Sequence, residues 1–100
     1  MSDDDIRIDF EETETRGRYS ARVDGIAEAG ELTISKVTPS LVIADHTMVP
    51  DSLRGRGVAA ALAERLIADA RARGQRVVPL CPFVRSQALR HPEWSDVIQN

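Results

Sequence analysis

The chain has one cysteine, two histidines and four aromatic residues, and no apolar run approaches the length of a membrane span. A single cysteine, Cys81, excludes an internal disulfide and any cysteine-rich zinc site. His46 and His91 stand too far apart for a short metal motif, so no metal site is expected. With so few aromatics, the core must be built from Ala, Val, Leu and Ile. The opening MSDDDIR is acidic and no apolar run follows it, which excludes a secretory signal. A soluble, cytoplasmic protein with no membrane partner is the expectation. The net charge of −3 and a pI near 5.3 argue against nucleic acid as the main partner. The basic residues also lack the interleaved aromatics on which bases stack.

What is present fits one domain of 100 residues with a 42% hydrophobic fraction. Residues 1–5 read as a disordered acidic tail and residues 6–100 as a single domain. The acids gather between Asp3 and Glu14. The arginines gather later, at Arg54, Arg56, Arg65, Arg71, Arg73, Arg76, Arg85 and Arg90.

Residues 6–10 and 18–24 alternate apolar and polar, the period of a half-buried strand, with residues 11–17 as a polar connection between them. Asp24-Gly25 signals a hairpin turn, and a third strand is expected over 26–37. The break at Gly30 suggests a bulge or a close approach there. Residues 41–49 form a rich strand whose apolar start predicts a central, doubly covered position. Pro50 ends it, having no amide hydrogen to donate. From Val58 the period changes: Ala59, Leu62, Ala63, Leu66, Ile67 and Ala70 make one face of a helix, and Gly74 is placed to stop it. RVVPL (76–80) reads as a short buried strand, parallel to 41–49 across the helix. Residues 83–90 form a short helix closed by His91-Pro92, with Trp94 as an anchor in an otherwise sparse tail. The fold class is α/β (α+β): a mixed, mostly antiparallel sheet with one long helix and one short C-terminal helix.

One segment resists a purely structural reading. In LRGRGVAAAL (53–62) two arginines stand at a helix start, where the helix field disfavours cations. Two glycines beside them leave backbone amides sterically open. An anion docked there would meet free amides, the helix field and guanidinium donors together, and a diphosphate-bearing ligand is the natural candidate. The alternative is a tight loop with solvated arginines. GRGVAA also satisfies the dinucleotide pattern, but residues 50–54 separate it from its strand and the next strand ends in Leu80-Cys81 rather than an acid.

Arg54 to Ala59 resembles the acyl-coenzyme A signature of the GCN5-related N-acetyltransferases (GNAT): Arg or Gln, two residues, Gly, one residue, Gly or Ala. DHTMVPDSLRGRGVAAAL followed by RARGQRVVPLCPFVRSQALRHPEW is similar to the small, single-domain subgroup of that family, over roughly residues 17–98. The resemblance implies a minimal acyl-coenzyme A N-acyltransferase-like fold and acetyl-coenzyme A as acyl-donor cosubstrate. It assigns the pyrophosphate to Arg54, Gly55, Arg56, Gly57, Val58 and Ala59, mostly through backbone amides. Met48 and Val49 would run beside the pantetheine arm, in a gap splayed between this strand and the one carrying Val77 to Leu80. The implied activity is acetyl transfer to a primary amine on a small molecule or a protein. A non-catalytic coenzyme A binding module or regulatory interaction protein is the alternative. Monomer or weak dimer is expected.

Such transfer needs a proton acceptor, an oxyanion donor and stabilisation of the leaving thiolate. His46 is one catalytic candidate, as a base, against a structural role beside Asp45 and Thr47. Cys81 is the other. It stands near Pro79 and before Pro82, which stiffen its backbone. Three roles are open to it: protonating the leaving thiolate, accepting the acyl group, or packing. The residue after His-Thr, often acidic in the subgroup, is Met48 here.

Overall fold

A computed structural model describes residues 5–99. The tail expected over 1–5 lies, except for Asp5, outside the described residues. Alternation builds the first three strands. These are β1 (Ile6–Glu12), β2 (Arg16–Val23) and β3 (Gly30–Thr38). β4 (Leu41–Met48) follows, then a single 3-10 turn at Asp51–Leu53, helix α1 (Val58–Arg73), strand β5 (Arg76–Pro79), helix α2 (Pro82–Arg90) and a last 3-10 turn at Pro92–Asp96. The five strands lie in sheet order β1-β2-β3-β4-β5, antiparallel except for the parallel pair β4–β5. This is the expected mixed sheet, with one long helix and one short one.

Register gathers most of the apolar strand positions on one face. Ile8, Phe10, Ala21, Tyr19, Leu32 and Ile34 are joined by ladder pairing, and paired residues share a face. Val42, Ala44 and Val77 continue that face, and α1 and α2 both pack on it. α1 buries Val58, Leu62, Ala63, Leu66, Ile67 and Ala70 there. Burial of each large aliphatic removes apolar area worth about 1.5–3 kcal/mol. On the other face no residue is buried among the described residues. Strand 41–49 is therefore covered on one side only, not on two as its apolar start suggested, and Ile43 stays half-buried on the open face. The crossover helix α1, between parallel β4 and β5, and α2, which follows β5, lie on the same side of the sheet.

Tyr19 ties α1 to the sheet. Its hydroxyl donates to Asp69 Oδ2 at 2.9 Å, and Arg65 Nε donates to the same oxygen at 3.1 Å. Burial, with the Asp69 carboxylate second, pushes the Tyr19 phenol well above its ordinary pKa.

Three boundaries differ from the sequence expectation. The β1–β2 connection is only residues 13–15, because the Thr13 hydroxyl accepts the Thr15 and Arg16 amides and closes a tight turn. The turn at Asp24-Gly25 forms, with Ile26 N–H on Val23 C=O at 3.1 Å. The chain does not rejoin the ladder until Gly30, so residues 26–29 lie outside β3. The tail is also better anchored than Trp94 alone implies. Val77 N–H donates to Val97 C=O and Gln99 N–H to Val77 C=O, each at 2.8 Å, so the tail pairs along the outer edge of β5.

Candidate active site

The two ends of β4 and β5 do not run together. Their ladder stops at Ala44 and Pro79, while β4 continues to Met48. Pro79 has no amide hydrogen with which to extend the pairing. Cys81 N–H donates to Ala44 C=O at 2.8 Å and closes the inner end of the gap that results.

Above this gap lies the glycine-arginine loop. Gly55 (φ 77°) and Gly57 (φ 75°) both take the left-handed conformation, which L side chains rarely adopt. A Cβ on either would meet nothing within 4 Å, so the side of the loop beyond them is open. Gly57 is the N-cap of α1 and brings no capping side chain, and the first turn holds no acid. The leading amides of an α-helix have no partner inside the helix, and no side chain supplies one here. Arg54 Nε pairs with Asp51 Oδ1 at 3.0 Å, both exposed.

A groove of about 300 Å³ opens at this helix start. It is lined by Val49, Leu53, Arg54, Gly55, Gly57, Val58, Ala59 and Ala60, and by Phe83 and Gln87 from α2. Six of the eight residues expected at the cofactor thus share one surface. Met48 does not line it. Paired with Glu31, it points to the open face and is 47% exposed. Arg56 belongs to the loop but is not part of the groove lining. Leu53, Ala60 and Gln87 carried no signal in the sequence beyond their neighbours. Gln87 belongs to a helix whose face is set only once α2 has packed.

The catalytic candidates are placed apart. Thr33 pairs with His46 and Ile34 with Ala44, so Asp45 is an extra residue in β4. This bulge reverses the alternation. Asp45 accepts from Ser35 Oγ at 2.6 Å on the open face, and His46 is exposed on that same face. Thr47 pairs with Leu32 and so faces the helices. Its hydroxyl lies 3.3 Å from Cys81 Sγ. Cys81 is 3% exposed and forms the N-cap of α2, with Pro82 as first helical residue. Among the described residues no hydrogen bond joins His46 to Cys81. Thr47 is the polar partner of the thiol, which the sequence could not indicate because the bulge decides the facing. His91 ends α2, stacks on Trp94 at 4.3 Å and bonds Glu93 at 2.8 Å, remote from the gap.

A family model described as GCN5-related N-acetyltransferase matches residues 18–97. The chain belongs to that family. The match runs from β2 through the tail and includes the whole gap, loop and groove, leaving β1 outside it. The five-stranded, mostly antiparallel sheet with two helices agrees with the family's fold. No curated protein matches this GCN5-related chain. Among the described residues no helix is long and apolar enough to cross a membrane. Among the described residues no cluster of His, Cys, Asp and Glu is arranged to hold a metal ion.

Proposed function

We propose that the chain binds acetyl-coenzyme A and transfers its acetyl group to a primary amine. One observation carries the reading: an uncapped helix start, opened by two left-handed glycines, borders a groove that reaches the end of β4, where β4 and β5 diverge. The fit to the donor is chemical. The amides of Gly55, Gly57, Val58 and Ala59 and the side chains of Arg54 and Arg56 suit a pyrophosphate. Val49 and Phe83 offer apolar wall to a thin, partly apolar arm. When bound, the donor supplies a thioester for attack by the amine. Cys81 Sγ, shielded from solvent and 3.3 Å from the Thr47 hydroxyl, is the candidate group at the closed end of the gap for the leaving thiolate. His46, on the open face, would serve an amine that approaches from there. Holding both reactants in line supplies much of the rate in direct transfer.

A second reading is a coenzyme A binding module or regulatory interaction protein without catalysis. The separation of His46 and Cys81 onto opposite faces favours it.

Calorimetric titration with acetyl-coenzyme A, coenzyme A and NAD tests the binding claim. Coenzyme A forms are expected to bind and NAD is not; absence of coenzyme A binding sinks both readings. Labelled acetyl-coenzyme A with mixed amine acceptors then separates them. Transfer that disappears in Cys81→Ser assigns the thiol a chemical role, while unchanged transfer returns it to packing.

A further inference from the structure

Gly30 lies outside the glycine-arginine motif, yet it packs against two walls of the groove. It is buried at the first position of β3, and its φ is not left-handed. Backbone conformation therefore does not call for glycine; space does. A Cβ at this position would lie 2.9 Å from Val58 Cγ1, 3.5 Å from Val49 Cγ2 and 3.6 Å from Leu62 Cδ1. Val58 and Val49 line the groove, one from the start of α1 and the other just past the end of β4.

The closest of these atoms cannot move aside cheaply. Val58 is 1% exposed, and a β-branched residue in a helix has one strongly preferred χ1 rotamer. A carbon pair at 2.9 Å must open by about 0.5–1 Å to reach ordinary separation. In a close-packed interior that displacement passes to the backbone. Val58 is the first residue of α1, so Gly57 and Gly55 are carried with it.

We propose that Gly30 is a positioning residue for the groove. Its absent side chain lets the start of α1 seat against β3 at the depth that aims the amides of residues 55–59 at the ligand's phosphates. This rests on the coenzyme A reading above. Gly30 touches no ligand; it acts through Val58 and Val49. Loops of a phosphate site are usually credited to their own glycines, whereas here a glycine some 25 residues upstream in sequence fixes where the loop stands.

Three variants test it: Gly30→Ala, Val58→Ala and the pair together. Val58→Ala deletes the atom that a methyl at position 30 would strike. Coenzyme A affinity is expected to fall about tenfold or more in Gly30→Ala, the scale at which displacements near 1 Å act. Val58 lines the groove, so Val58→Ala has an affinity of its own and serves as the reference for the pair. The double variant is expected to bind as Val58→Ala alone does, the loss seen with Gly30→Ala in the parent being absent from that background, the non-additivity of residues in contact. A ligand-free readout runs in parallel. The amide resonances of Gly55 and Gly57 should move in Gly30→Ala and move back in the double variant, whatever happens to the melting temperature. A glycine needed only for stability would lower the melting temperature without moving these resonances, which would overturn the proposal. Affinity unchanged in Gly30→Ala, or lowered by the same factor whether position 58 is Val or Ala, would overturn it as well. Failure of the parent protein to bind coenzyme A defeats the functional reading instead, and the resonances still decide whether position 30 sets the loop.

Discussion

The two ends of α1 are closed by the same residue in the same conformation and are finished in opposite ways. Gly57 begins the helix at φ 75° and Gly74 ends it at φ 68°. At the far end Gln75 N–H reaches Ala70 C=O at 2.8 Å and Gly74 N–H reaches Arg71 C=O at 3.3 Å, so the last carbonyls are satisfied from within. Arg71 and Arg73 suit the negative end of the helix, and Arg71 also grips Asp96 through two hydrogen bonds. At the near end there is no capping side chain and no acid, and arginines stand where anions belong. One end is built for stability. The other has no capping side chain and no acid, and the proposed binding end rests on that contrast more than on the glycine pattern itself.

The contrast can be broken at either end. Replacing Arg56 by Glu should act on binding. Loss of a charged donor and the added repulsion predict about 2 kcal/mol or more, roughly a 30-fold weaker affinity for coenzyme A by calorimetry. Gly74→Ala should do the reverse. A left-handed C-terminal position costs a side chain about 1 kcal/mol, so melting should fall by about 4–8 °C while affinity stays put. A smaller and more pointed change is Ala60→Glu, which gives the first turn the acid it lacks. The free protein should gain about 0.3–1 kcal/mol and bind coenzyme A less well; a variant that gained both would refute the division of labour.

The smallest effect is one of pH. Its hydrogen bond from Arg71 holds the Asp96 carboxyl below the usual carboxylate range. A group whose folded pKa is lowered stabilises above its unfolded pKa and loses that contribution as pH falls through the folded value. The protection of Val77 and Gln99, the amides that pair β5 with the tail, measured as exchange relative to the intrinsic rate at each pH, should therefore fall at acid pH. In Asp96→Asn that dependence should be largely absent, while coenzyme A affinity at neutral pH is unchanged.

Much of this architecture was legible because it rests on long periodic signals. The 3.6-residue spacing from Val58 to Ala70 and the glycine at 74 define α1, and the shift of period between 41–49 and 76–80 implies the parallel crossover. The features that escaped are those whose signal is one residue wide or less. A single extra residue at Asp45 puts His46 on the open face and Thr47 on the side of Cys81, and nothing in DHTM announces it. Pairing of residues 97–99 with β5 is too short to leave a period. Gly30 was visible as an interruption, but whether it marked a bulge or a close approach depended on where Val58 lands, and the structure shows the approach. The candidate site follows the same rule: its phosphate loop is a contiguous motif, whereas the Thr47–Cys81 contact exists only after two strands have diverged.

The tail on β5 has a consequence for the solubility of the folded chain. A parallel strand carrying Val77 and Val78 at the rim of a sheet is a template on which another molecule can add a strand. Val97 to Gln99 occupy that rim, and Arg76 adds side-chain donors to Asp96 C=O and Ile98 C=O at 3.2 and 2.8 Å. Among the described residues the opposite border of the sheet is β1, which carries Arg7, Asp9, Glu11 and Glu12, the kind of charged edge that discourages strand addition. Residues 97–99 thus act as a cover strip on the β5 rim, using up backbone groups that a strand from another molecule would need.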